Sequence, residues 1–120
     1  MQVYVTSSFK RALKPLLKKY PSLKSDLSKL ERQLLTNPQI GIYLGSQVYK
    51  IRLNISSKNR GKSSGARVIY FLSMYKMVGR EDRLRDGAIY LLMVYDKSEI
   101  ANISSNEILK IIDHFKLDQD

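Results

Sequence analysis

Apolar residues recur along the chain with two different periods, and the switch between them outlines a fold. Residues 2–6 (QVYVT) alternate and are rich in β-formers, which predicts a short strand. Ser7 or Ser8 is placed to cap a helix over residues 8–19. There Phe9, Leu13, Leu16 and Leu17 share one face, and Lys10, Arg11, Lys14, Lys18 and Lys19 lie elsewhere. Pro15 falls inside that pattern. It has no amide hydrogen, so it is expected to kink the helix or to mark its first turn. Tyr20-Pro21 breaks the helix, because the residue before a proline avoids the helical region. A second helix over residues 22–36 carries Leu23, Leu27, Leu30 and Leu34 in one stripe, and Asn37-Pro38 ends it. So short a break between the two predicts a helical hairpin. Residues 37–47 read as a loop, or as a short edge strand around residues 42–44.

Past residue 48 the period falls to two. Residues 48–55 point Ile51, Leu53 and Ile55 one way and Lys50, Arg52 and Asn54 the other. The Ser/Lys/Gly-rich stretch 56–65 reads as a loop. Residues 66–73 alternate again with apolar residues on both faces, which predicts a sheet covered on one side and partly on the second. Residues 74–87 are polar with no clear period and read as a long hairpin excursion. Residues 88–95 (AIYLLMVY) are apolar throughout and are expected to be the central, most buried strand. Ser104 and Glu107 match a capping box that opens a helix to about residue 115, with Ile108, Ile111, Ile112 and Phe115 as its apolar face. The order β-α-α-β-β-β-α predicts an α+β fold: an N-terminal strand, a helical hairpin, an antiparallel meander and a C-terminal helix. At 120 residues it is expected to form one domain over 1–120.

Composition changes this picture in one respect, which is charge. Hydrophobic content of 43% and charged content of 27% are those of an ordinary globule, but the net charge is +10. Six Lys/Arg precede the first acidic residue, Asp26. The stretch 49–70 (YKIRLNISSKNRGKSSGARVIY) holds Lys50, Arg52, Lys58, Arg60, Lys62 and Arg67 with no Asp or Glu. Cations crowded in this way repel one another unless something outside the chain supplies negative charge, and phosphate is the obvious source. Cysteine is absent, which excludes disulfides and thiolate metal sites and fits a reducing cytoplasm. No apolar run nears the roughly 18 residues of a membrane span. Neither a secretory signal nor membrane attachment is expected.

Several stretches, taken in order, resemble the RelE/HigB superfamily of type II toxin–antitoxin toxins. They are FKRALKPLLKKYPSL with a leucine-rich helix and TNPQIG after it, then VYKIRL, then GKSSGARVIY, then YLLMVYDKSEIANIS. The last three look most like the HigB branch. The resemblance implies a small ribosome-dependent endoribonuclease that cuts mRNA in the ribosomal A site and so inhibits translation. It implies no metal or other cofactor, a cytoplasmic location, and neutralisation by a cognate antitoxin, expected to be a helix-turn-helix protein from the adjacent gene. By the same resemblance Lys50 and Arg52 occupy the two basic positions of the Tyr-Lys-Ile-Lys/Arg strand, Arg67 the arginine of the following strand, and Lys97 a basic position after the last long strand. Some members carry a catalytic tyrosine further on. Here that region reads Ile103, so another group, Lys97 or Tyr95, would have to stand in.

The residues themselves can support such chemistry. Cleavage of RNA needs a base for the 2′-hydroxyl, stabilisation of charge growing on phosphate, and a proton for the leaving oxygen. The one histidine, His114, stands near the end of the last helix, where the dipole favours it. Lys50 and Arg52 share a strand face, and the Arg67 fork suits bidentate contact with phosphate. Neighbouring cations also lower a lysine's pKa toward that of a usable base. Lys58, Arg60 and Lys62 read as docking contacts to rRNA or mRNA phosphates. Blander alternatives stand beside each of these. Lys50 and Arg52 could be a solvated strand face, Arg67 could pair with Asp96 or Glu99, and Tyr70, Tyr90 and Tyr95 read first as core. Tyr49 and Tyr75 are candidates for stacking on a base. Two other functions fit the same charges: a ParE-like toxin acting on DNA gyrase, and a non-catalytic basic nucleic-acid-binding module.

Overall fold

The computed structural model describes residues 1–58, 65–73, 76–78, 83–85, 87–100 and 103–119. The polypeptide starts with β1 (Gln2–Val5) and turns directly into α1 (Ser7–Lys19). Thr6 makes that joint, not Ser7 or Ser8. Its hydroxyl accepts from the Phe9 amide at 3.3 Å and donates to the Leu91 carbonyl at 2.8 Å, so one side chain caps the helix and ties it to the sheet. Pro15 lies inside α1 and is exposed. The carbonyl it leaves unpaired is that of Arg11, four residues back on an exposed stretch where water can serve it. After the Tyr20-Pro21 break, α2 (Leu23–Thr36) buries Leu23, Leu30 and Leu34, as the leucine stripe predicts.

Next come β2 (Ile42–Gly45), β3 (Val48–Leu53), β4 (Ala66–Ser73), a separate ribbon of β5 (Lys76–Val78) with β6 (Arg83–Arg85), then β7 (Ala88–Asp96) and α3 (Ser105–Gln119). The main sheet has the order β1-β7-β4-β3-β2. β2, β3, β4 and β7 are antiparallel neighbours as expected, while β1 adds parallel to β7, which makes the sheet mixed. The central strand is therefore β4, not the more apolar β7, which lies next to it. The fold is α+β, and helices cover both faces of the sheet.

Two cores result. α1 and α2 pack on one face over Leu53, Val68, Tyr70, Leu72, Ile89 and Leu91. α3 packs on the other through Ile112 and Phe115, over Val48, Ile69, Leu92 and Tyr95. The second face is thus more fully covered than alternation alone suggests. Ser104 caps α3 by accepting from the Glu107 amide at 3.1 Å. A bulge in β7 sets which residue faces which core. Ile69 pairs with Met93 and Tyr70 with Leu91, so Leu92 has no partner on β4. The extra residue turns both Leu92 and Met93 toward the α3 side and carries Tyr95 there with them.

Candidate functional site

The site lies where β3, β4 and β7 run side by side on the α3 face. Arg52 stands directly opposite Arg67, and Arg67 directly opposite Tyr95. One row across three strands therefore reads Arg-Arg-Tyr. Side chains opposed in this way are close neighbours, with Cβ atoms about 5 Å apart, and like charges so placed destabilise a sheet. Arg52 is exposed, but Arg67 retains only 8% of its accessible surface. Its Nη1 donates to the Ala66 carbonyl at 3.1 Å. Among the described residues no carboxylate forms an ion pair with either arginine; Asp96 and Glu99, the acids open to Arg67, bind Lys58 and Lys19 instead.

The electrostatics follow from this placement. Burial, and after it the Arg52 charge, hold the Arg67 guanidinium below its ordinary pKa, with Tyr95 pulling the other way. Burial pushes the Tyr95 phenol up, while the Arg67 charge and the nearby Ile103 backbone pull it down. The buried Tyr95 hydroxyl oxygen nevertheless has no hydrogen-bond partner among the described residues. A cationic pair with one exposed member and a phenol without a hydrogen-bond partner among the described residues beside it is suited to an oxyanion, whose lone pairs would meet both guanidinium groups.

The other sequence-predicted residues fall as follows. Lys50 is half-buried two residues before Arg52, opposite Ile69 and Ile42, on the same strand face as Arg52. Lys97 follows β7 in a turn, and its amide donates to the Gly65 carbonyl at 3.2 Å, next to the start of β4. Strand pairing thus brings Lys50, Arg52 and Arg67 together and sets Lys97 at the adjoining end of the sheet. Lys58 goes elsewhere. It sits in a short 3-10 turn (Ser56–Lys58), directed to the α1 side, where it ion-pairs with buried Asp96 at 2.9 Å and keeps 14% of its side-chain surface. Arg60 and Lys62 lie outside the described residues, as does Tyr75. Tyr49, a candidate for stacking on a base, is buried and already stacked on Tyr70, with centroids 5.2 Å apart. His114 is exposed on α3.

By sequence Tyr95 reads as core, or as a stand-in for a missing tyrosine. Its position beside Arg67 depends on the bulge, which has no local signature in AIYLLMVY. A cavity of about 360 Å³ between α2 and β3 has no sequence signal either; Arg52 borders it together with Lys29, Gln33, Ile51 and Asn54.

No family model matches the chain. Among solved structures it is similar to a double arginine-to-alanine mutant of the E. coli toxin RelE in the free state. The sequence identity is 20%, the match covers 82% of this chain and 85% of that one, and the TM-score is 0.47. Among the described residues no helix is long and apolar enough to cross a membrane, and no group of His, Asp and Glu is placed to hold a metal ion.

Proposed function

We propose that this chain is the toxin of a type II toxin–antitoxin system, of the RelE/HigB kind, and that it is a ribosome-dependent endoribonuclease cutting mRNA in the A site. The observation that carries the reading is the Arg52–Arg67 pair: two arginines directly opposed on neighbouring strands, one of them buried, with no carboxylate to neutralise them among the described residues. Such a pair is costly to the folded protein and is compensated when a phosphate sits on it.

In this reading Arg52 and Arg67 hold the scissile phosphate and stabilise the charge that develops on it. Lys50, on the same face, takes the proton of the 2′-hydroxyl. Lys97, at the end of β7, serves the leaving oxygen. Arg60 and Lys62 supply docking contacts to rRNA or mRNA, and Lys58 fixes the base of the segment that carries them. The ribosome orders the substrate, so a chemically sparse site suffices. An antitoxin, expected to be a helix-turn-helix protein encoded alongside, silences this cationic face, and the protein works in the cytoplasm.

Induction in bacteria tests this. Growth and translation are expected to stop, and primer extension to show mRNA cuts only in messages being translated. Growth arrest with intact mRNA and altered DNA supercoiling would point to gyrase; intact growth would leave a binding module.

A further inference from the structure

Tyr95 and Arg67 are cross-strand partners, and each is buried with its polar group poorly used. Tyr95 keeps 3% of its surface, and its hydroxyl oxygen meets no hydrogen-bond partner among the described residues. Arg67 spends Nη1 on the carbonyl of its own neighbour, Ala66. Native interiors seldom leave a phenol unserved, because burying it without a partner forfeits its hydrogen bonds to water. Phenylalanine in the same place would avoid that cost. Two groups side by side without full compensation among the described residues make sense together when the state that satisfies them is a different one.

We infer that Tyr95 is a positioning residue for Arg67, and that its hydroxyl accepts an N–H of the Arg67 guanidinium once an oxyanion of the phosphate class is seated between Arg52 and Arg67. An arriving anion draws the fork of Arg67 away from the Ala66 carbonyl and toward Arg52. The inward edge of the guanidinium then faces the phenol oxygen across the β4–β7 pair. Tyr95 thereby steadies the fork in the occupied state, while its hydroxyl makes no hydrogen bond to it in the empty one. It touches no reacting atom. The bulge at Leu92 is what places it: without that extra residue Tyr95 would face the α1 side. This role deepens the proposed function, resting on the same arginine pair, but concerns anion binding and needs no cleavage.

The test uses the whole chain, Tyr95→Phe, Arg67→Met and the double variant. Each is read by thermal melting and by titration with inorganic phosphate and with a 2′-deoxy trinucleotide, which carries phosphodiesters but no nucleophile. Tyr95→Phe is expected to melt about 3 °C higher than the parent, because an unserved hydroxyl has gone. It is expected to bind both probes about tenfold more weakly. Arg67→Met is expected to lose the phosphate response, and adding Tyr95→Phe to it is expected to change nothing further, the mark of one coupled unit.

A Tyr95→Phe protein that binds both probes like the parent overturns the inference. So does one that melts lower, since the hydroxyl would then have a partner in the empty state, with the Ile103 backbone the nearest candidate. Losses that simply add in the double variant overturn it as well. Response to the trinucleotide but not to inorganic phosphate assigns the site to diesters within a nucleic acid; the reverse assigns it to a free phosphate. A parent protein that binds the probes through Arg67 and Tyr95 yet leaves translated mRNA intact keeps this inference and sinks the nuclease reading. Cutting that persists with a full phosphate response in Tyr95→Phe does the opposite.

Discussion

Lys58 Nζ lies 2.9 Å from Asp96 Oδ1, joining the turn after β3 to the end of β7. Asp96 is buried and also accepts from the Tyr20 hydroxyl and from the amide and hydroxyl of Ser98. One carboxylate thus gathers α1, the β3–β4 connection and the turn holding Lys97. Asp96→Ala is expected to cost about 3–5 kcal/mol, since it strands a buried ammonium and several donors. Lys58→Met is expected to cost less, about 2 kcal/mol, because the other donors to Asp96 remain. Urea unfolding of the two variants checks both figures. A lysine whose loss left stability untouched while weakening RNA binding would restore Lys58 to the docking contacts.

The same clasp gives stability a definite pH dependence. Burial would raise the Asp96 pKa, but hydrogen bonds from Tyr20, Lys58 and Ser98 outweigh it and hold the carboxyl well below the usual carboxylate range. Asp26 is lowered too: its burial is outweighed by bonds from Ser22 and Ser56, with help from Lys29. A group whose folded pKa is depressed contributes fully above its unfolded pKa, near 4, and loses that contribution as pH falls toward the folded value. Unfolding free energy is therefore expected to be flat above about pH 5 and to fall steadily below about pH 4. Asp96→Asn is expected to flatten that acid limb. An acid limb of unchanged slope in Asp96→Asn would show that other carboxylates govern it.

Much of this architecture is legible in the sequence, for physical reasons that differ by element. The leucine stripe of α2 and the alternation of β4 are local patterns, and the structure repeats them almost residue for residue. The Ser104 cap is local as well. Within the candidate site, Lys50 and Arg52 share a face because alternation fixes strand faces, and Arg67 joins them on the neighbouring strand. What local pattern cannot supply is set by pairing over long distance. The parallel addition of β1, the loss of one ladder position at Leu92 and the inward turn of Lys58 toward Asp96 each depend on partners far away in the chain. Residue type alone consequently makes Tyr95 core and Lys58 surface, and both stand in more particular surroundings.

The β2–β3 turn carries strain that can be removed. Ser46 and Gln47 both adopt positive φ, 53° and 66°, and Gly45 before them has φ 97°. A two-residue hairpin of this kind demands left-handed geometry at both central positions, which Asn-Gly supplies and Ser-Gln does not. Replacing Ser46-Gln47 by Asn-Gly is expected to stabilise the protein by on the order of 1 kcal/mol. Gly45→Ala is expected to destabilise by a similar amount, even though an added Cβ would have no atom within 4 Å, because the strain is in the backbone. Thermal melts that rank the two variants the other way would show that the turn adopts a different geometry in solution.

Tyr70 ties the segment before β2 to the core. Its hydroxyl donates to the Pro38 carbonyl at 2.7 Å and accepts from the Gly41 amide at 3.1 Å. A methyl at Gly41 would meet that oxygen, and the Lys50 carbonyl, at 2.9 Å. Tyr70→Phe is expected to cost about 1–3 kcal/mol, since a carbonyl and an amide lose their partner together. Amide exchange at Gly41 is expected to accelerate with it, while exchange in β7 is not. Uniform acceleration across both would mean that Tyr70 supports the whole sheet and not this segment.

Arg67 should separate stability from function. Its charge is buried without a carboxylate among the described residues, so Arg67→Met, similar in volume, is expected to leave the melting temperature unchanged or to raise it. If Arg67 stabilises charge developing on the phosphate, the same variant is expected to lose on the order of 100-fold in mRNA cleavage. Arg67→Lys keeps the charge and loses the fork, so an intermediate loss of about tenfold is expected. Arg52→Met, at an exposed position, is expected to reduce cleavage with little effect on melting, and to add little to Arg67→Met because the two hold one phosphate. Cleavage of a translated message measured beside thermal melts decides the matter. An Arg67→Met protein that is destabilised and fully active would make Arg67 a structural residue and leave the phosphate without its main ligand.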